Sequence, residues 1–277
     1  RWLSELVAND PKRHYGVASI PLLFDVAQAV EAVRWCADNG LSGVMLPTMW
    51  GEHAAYHDVK YDPFWEACQD LGIVIHFHSG PAPHSEYFGP AFPNEDRSAE
   101  LPGAMGAYVS EVMFWLYRPL TFMLWGGVFE RFPRLKAMVV EGGTMFMVPS
   151  WLMLLDHNYT DIQFSAKLGD FRSHLSMAPS EYFARNCGIG ASCVPRRDLD
   201  LKDQIGLKQI MWGSDFPHPE GTWPNTEQYY LDTFKGFDAD AGRQILGENA
   251  IQFYGMDSDY LNGLASDIGP SASIFNG

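Results

Sequence analysis

A chain of 277 residues that is 47% hydrophobic and 14% aromatic has ample material for one large core, and its length suits an α/β barrel of ~250 residues. The formal net charge of −15, with no Lys/Arg-rich run, excludes nucleic acid and anionic membranes as electrostatic partners. No apolar run approaches the ~18 residues of a membrane span, and Cys36, Cys68, Cys187 and Cys193 form no C-x-x-C pair, so reduced structural thiols and a cytoplasmic location are expected.

In chain order, the sequence opens inside a helical pattern, Trp2 to Ala8, and reaches a short β run closed by proline, Gly16 to Pro21. Apolar residues at helical spacing predict a helix from Asp25 to Asn39, stopped by Gly40. A buried strand follows at Gly43 to Pro47, then a loop rich in His, Gly and Tyr. Pro63 and Gly72 bracket the next helix with the usual asymmetry of Pro at the start and Gly past the end. The strand Ile73 to His78 precedes residues 79–103, whose Gly, Pro, Ser and acidic content reads as a long loop over a site.

Two helices are expected beyond it, Ala104 to Arg118 and Leu120 to Glu130, separated at Pro119. Their many aromatic and Met side chains suggest a homodimer face. The strand Lys136 to Glu141 ends at Gly142-Gly143, and a helix spans Val148 to Asn158. A weaker Gly-containing strand, Asn186 to Ser192, precedes the strand that begins at Ile210. Helices near Glu227 to Phe234 and Ala239 to Tyr254 complete a body of residues 1–257. The Ser/Gly/Asp-rich tail, 258–277, is expected to be extended or to dock on a neighbour.

Strands alternating with helices at this spacing predict a parallel sheet, and about six strands are countable. A TIM-type (β/α)8 barrel needs eight. Arg1 is no initiator Met, so the expectation is a barrel lacking its first two βα units in this chain.

Two strand ends carry the chemistry. In Ile210-Met-Trp-Gly-Ser-Asp-Phe-Pro-His218 a buried apolar run ends at Asp215, where a carboxylate is costly unless paired or metal-bound. In Ile73-Val-Ile-His-Phe-His-Ser-Gly80 the strand ends at His78, with His76 two residues earlier on the same side. An imidazole and a carboxylate at one barrel mouth sketch a divalent metal site whose open position activates water. Glu141, ending its strand before two glycines, is a candidate acid–base group. His76 and His218 are candidates for substrate contact or support. His53, His57, His84 and His157 read as ordinary loop or helix histidines. No P-loop, G-x-G-x-x-G or G-x-S-x-G motif is present.

At these residues the chain resembles the amidohydrolase-related family, the branch of its superfamily that includes aminocarboxymuconate-semialdehyde decarboxylase and aromatic-acid decarboxylases. The resemblance runs from Pro11-Lys-Arg-His-Tyr-Gly-Val-Ala through Ile-His-Phe-His-Ser-Gly and Val-Glu-Gly-Gly. It continues through Trp-Gly-Ser-Asp-Phe-Pro-His to Ile245-Leu-Gly-Glu-Asn-Ala-Ile-Gln-Phe-Tyr-Gly255. It implies a barrel with one divalent metal, zinc or manganese, held by an H-x-H pair on strand 1, a His ending strand 5 and an Asp ending strand 8. Counted back from the C-terminal end, His78 falls on strand 5 and Asp215 on strand 8 as metal ligands. Glu141 stands where members often carry a His on strand 6, and no H-x-H lies near Arg1.

The implied activity is metal-dependent hydrolysis of a small carboxylated, aromatic or unsaturated, substrate, with Asp215 and Glu141 as the catalytic pair. Non-oxidative decarboxylation on the same site is the alternative, and Glu141 tilts the reading toward hydrolysis. A catalytically inactive barrel serving as a scaffold is the reading from another class, favoured by the absent strand-1 pair.

Overall fold

The computed structural model describes residues 1–80, 85–86, 103–142, 147–161 and 165–276. Among the described residues, six strands form one sheet in strict chain order: β1 (Gly16–Ser19), β2 (Leu41–Leu46), β3 (Val74–Phe77), β4 (Ala137–Val140), β5 (Cys187–Ser192) and β6 (Ile210–Gly213). Every neighbouring pair is parallel. Parallel neighbours cannot be joined by a hairpin, so each connection crosses back over the sheet, and this repeated crossover is the architecture of a TIM-type α/β barrel.

The helices used below are α1 (Trp2–Val7), α2 (Val26–Asp38), α3 (Asp62–Leu71), α4 (Ala104–Trp125), α5 (Met147–Thr160), α6 (Pro179–Asn186), α7 (Thr226–Phe234), α8 (Ala239–Arg243), α9 (Asn249–Tyr254) and α10 (Ser258–Ile268). Local chemistry sets their ends. The Asp25 carboxylate accepts from the Gln28 amide at 3.0 Å to cap α2, and Gly72 takes φ 68° to end α3.

Side-chain alternation along the strands separates two cores. Val44, Leu46, Ile75, Phe77, Ala137, Val139, Ile189 and Ile210 face the helical layer and join the main hydrophobic cluster. Val74, Met138 and Met211 point to the opposite, inner face, where Ala250, Phe253 and Tyr254 of α9 cover them. Glycines let the inner face close up. A Cβ on Gly43 would lie 2.6 Å from the His76 ring, and one on Gly188 would lie 2.9 Å from the Met138 methyl.

Three elements differ from the sequence expectation. The break expected at Pro119 is absent: α4 runs through it to Trp125, because Leu116, Tyr117, Leu120 and Met123 are buried on a single stripe that outweighs the missing proline N–H. The end of the second expected helix is a separate turn, Val128–Arg131. The helix expected over 239–254 is interrupted by a π-helical turn at Gln244–Glu248. The tail is neither extended nor undocked from its own chain. Asp257 caps α10 through the Tyr260 amide at 3.0 Å, and Phe275 packs on Phe234 with its carbonyl accepting from the Gly236 amide at 3.0 Å. Most of the expected 79–103 loop, His84 included, lies outside the described residues. Among the described residues, no helix is long and apolar enough to cross a membrane.

Candidate active site

The C-terminal ends of β3, β4, β5 and β6 form one rim, and each is followed within two residues by a side chain capable of chemistry: His78, Glu141, Cys193 and Asp215. Three of these four turn the chain sharply there. Glu141 (φ 50°), Cys193 (φ 50°) and Asp215 (φ 58°) occupy the left-handed region, unusual for residues with a Cβ and typical of positions held by their surroundings at a functional site. The turn after Glu141 is anchored. The Tyr117 hydroxyl of α4 donates to the Gly142 carbonyl at 3.1 Å, and a Cβ on Gly142 would lie 2.5 Å from Ile189, so only glycine fits.

Glu141 is the hub. Its Oε2 lies 3.0 Å from His78 Nε2 and accepts from the Ser79 hydroxyl at 3.3 Å. On its other side it faces Asp215, whose carboxyl is pushed above the ordinary carboxylate range, chiefly by burial and then by the hydrogen bond and like charge of Glu141. His218 partly offsets this, its Nδ1 lying 3.5 Å from Asp215 Oδ2 and 3.9 Å from Glu220 Oε2. The Cys193 thiol is pushed up by burial and further by the charges of Asp215, Glu141 and Glu220.

The tautomer of His78 follows from its partners. Nδ1 is 2.5 Å from the Ser79 carbonyl, which can only accept, so Nδ1 carries a proton and the remaining proton position is Nε2, toward Glu141. His78 Nε2 therefore faces the Glu141 carboxylate, 3.0 Å from its Oε2. Among the described residues neither Glu141 nor Asp215 pairs with a Lys or Arg, so the carboxylates face each other balanced by histidines alone.

These donors suit a divalent cation in kind: an imidazole nitrogen with its other nitrogen tied to a carbonyl, and facing carboxylates in need of positive charge. Among the described residues, however, no three His, Cys, Asp or Glu side chains are arranged as ligands of one ion.

Of the residues singled out in the sequence, the fold thus brings together His78, Glu141, Asp215 and His218. It sets His76 apart, one layer below the rim. His76 is 1% exposed, its Nδ1 donates to the Val44 carbonyl at 3.2 Å, and its Nε2 accepts from the Tyr254 hydroxyl at 3.0 Å. Burial lowers its pKa to about 4, and both nitrogens are engaged, so it fastens α9 to the inner face of the sheet and has no free atom for a substrate.

The sequence reading passed over Ser79 and Cys193. The signal for Cys193 was positional, since it follows its strand at the same rim as Glu141 and Asp215. A cavity of about 760 Å³ on the flank, between α4 and α5, is walled by Phe122, Trp125 and Phe171 and contains none of the rim residues.

The family description Amidohydrolase matches residues 1–256. The chain belongs to the amidohydrolase family. It is 24% identical over 261 residues to 2-amino-3-carboxymuconate-6-semialdehyde decarboxylase from Dictyostelium discoideum, covering 92% of this chain and 65% of that protein. The chain therefore spans about two thirds of the length of this curated relative. Among solved structures, 5-carboxyvanillate decarboxylase from Sphingomonas paucimobilis superimposes with a TM-score of 0.71 at 23% identity, over 92% of this chain and 71% of that one. A dihydroxybenzoic acid decarboxylase from Polaromonas sp. JS666, with bound manganese and the inhibitor 2-nitroresorcinol, gives a TM-score of 0.67 at 20% identity, over 94% and 75%. At these identities the structural likenesses establish the fold. This amidohydrolase is thus a TIM-type α/β barrel with its candidate chemistry at the C-terminal rim of its strands.

Proposed function

We propose that this amidohydrolase is a metal-dependent, non-oxidative decarboxylase of a small aromatic or unsaturated carboxylate. The observation that carries the proposal is that the family relatives described above are decarboxylases of such acids. Their testimony outweighs the tilt toward hydrolysis that Glu141 gives the sequence. The rim geometry supports the same direction, because decarboxylation needs a proton delivered to carbon, and a carboxyl facing a carboxylate can hold one.

His78 Nε2 and the Asp215 carboxylate are the residues we assign to a divalent ion, zinc or manganese. Bound there, the ion would supply positive charge to stabilise negative charge developing on the substrate. The chain's own residues do the rest. Glu141, beside Asp215 and held by the Ser79 hydroxyl, is the proton carrier. The bond between the ring carbon and the carboxylate breaks, its electron pair stays on the ring carbon, and CO₂ leaves. The proton on Glu141 passes to that carbon, and solvent returns a proton to Glu141. His218, against Asp215 at the exposed side, is placed to relay that returning proton.

Product analysis tests the reading. Incubation with 2,6-dihydroxybenzoate in H₂¹⁸O is expected to release CO₂ and the decarboxylated phenol, with no ¹⁸O in the phenol. No CO₂ release from this acid, with ¹⁸O entering the acid product of a carboxylated ester or amide instead, would return the site to hydrolysis.

A further inference from the structure

The loop after β6 that carries Asp215 also carries an unusual pair. Phe216 is 64% exposed and Trp223 is 67% exposed, and their rings stand at 78° with centroids 5.9 Å apart, making a right-angled corner. Large rings left in water on a mobile loop would be unremarkable, but this loop is tied to itself. The Thr222 amide donates to the Ser214 carbonyl at 2.9 Å, the His218 amide to the Asp215 carbonyl at 2.8 Å and the Gly221 amide to the His218 carbonyl at 2.9 Å. A Cβ on Gly221 would lie 2.7 Å from the Asp215 carbonyl oxygen, so the loop closes on the site residue as tightly as backbone allows. The Thr222 hydroxyl, 3.0 Å from that of Thr226, fastens the far end to α7. Two rings are thus held in solvent by a fixed backbone, on the loop that carries Asp215.

Phe216 follows Asp215 directly, and consecutive Cα atoms are ~3.8 Å apart, so its ring cannot lie farther from the Asp215 backbone than one side chain reaches. Trp223 shares that neighbourhood through its contact with Phe216. We propose that Phe216 and Trp223 form an aromatic wall at the rim that seats the planar ring of the substrate and selects unsaturated over saturated carboxylates. The proposal rests on the decarboxylase reading and deepens it. A ring entering the corner meets one face and one edge, the two arrangements that aromatic pairs favour, while its carboxylate stays within reach of the rim.

The test is binding, read by titration calorimetry on the full chain in buffer containing manganese. The probes are 2,6-dihydroxybenzoate and cyclohexanecarboxylate, which share a carboxylate but not a flat ring. The wild type is expected to bind the aromatic acid roughly ten-fold more tightly, the size of a good ring–ring contact. Phe216→Leu and Trp223→Leu should each erase most of that preference, leaving cyclohexanecarboxylate affinity and the thermal midpoint unchanged.

The wall is overturned if the preference survives in both variants or is absent in the wild type. It is also overturned if the double variant changes the sedimenting mass, which would make the rings a contact between copies. Failure of the wall and failure of the reading remain distinct. CO₂ release with the same KM in variants and wild type removes the wall alone. Neither binding nor CO₂ release in the wild type removes both.

Discussion

Glu141 shows how much a single position decides in this molecule. It takes φ 50° at the end of β4, touches His78 at 3.0 Å, and raises the proton affinity of Asp215, so two further rim residues depend on one carboxylate. Glu141→Gln keeps the shape and removes the ionisable group. Its kcat for decarboxylation is expected to fall by ~10²–10⁴-fold, the range typical of a lost acid–base group, with an unchanged thermal midpoint. Glu141→His, which restores the residue that the family resemblance places there, should retain more activity than Glu141→Gln. Steady-state kinetics on the three proteins checks both statements.

His76 gives a second prediction at the same scale. Its pKa is lowered to about 4 from an ordinary value of 6.5, chiefly by burial, so the unfolded chain binds the proton more readily than the folded one. Stability is therefore complete above pH 6.5 and is lost as pH falls toward 4, with about 2 kcal/mol gone by pH 5. Urea unfolding at pH 7.5 and pH 5.0 should show that loss in the wild type and a smaller one in His76→Gln.

At the scale of elements, the C-terminal helices hold the site strand from behind. The Asn249 side-chain amide, buried in α9, donates to the Leu207 and Ile210 carbonyls, each at 2.8 Å, and so fixes where β6 begins. Asn249→Leu leaves both carbonyls buried without a donor. It is expected to lower unfolding free energy by ~2–4 kcal/mol, which equilibrium denaturation would measure. The tail depends on a different close approach, because a Cβ on Gly242 would lie 2.2 Å from the Phe275 ring. In Gly242→Val the tail should detach, and chymotrypsin should cleave at Phe275 much faster than in the wild type. Uncut Phe275 in that variant would show that the tail docks through other contacts.

For the whole molecule, the prediction concerns metal. Elemental analysis of the purified protein is expected to find a stoichiometric divalent ion that is lost in both His78→Ala and Asp215→Ala and retained in His76→Gln. Retention in the first two variants would disconnect the rim from the metal. The amino-acid sequence by itself determined the parallel α/β architecture, because apolar runs of strand length alternating with amphipathic helices leave few other ways to bury both faces of a sheet. It also determined which strand ends carry polar groups, since an imidazole or carboxylate closing an apolar run stands out in one dimension, as at His78, Glu141 and Asp215.

What it could not decide were relations that arise only when distant segments meet. His76 and His78 look alike on the strand. Only the packing of Tyr254, 178 residues away, ties one into the interior and leaves the other at the rim. Pro119 reads as a break until the buried stripe of α4 overrides it, and the tail reads as loose until Gly242 opens a place for Phe275. Local propensity and periodicity are written residue by residue. Burial, proton sharing and close approach belong to pairs, and the chain fixes those only by folding.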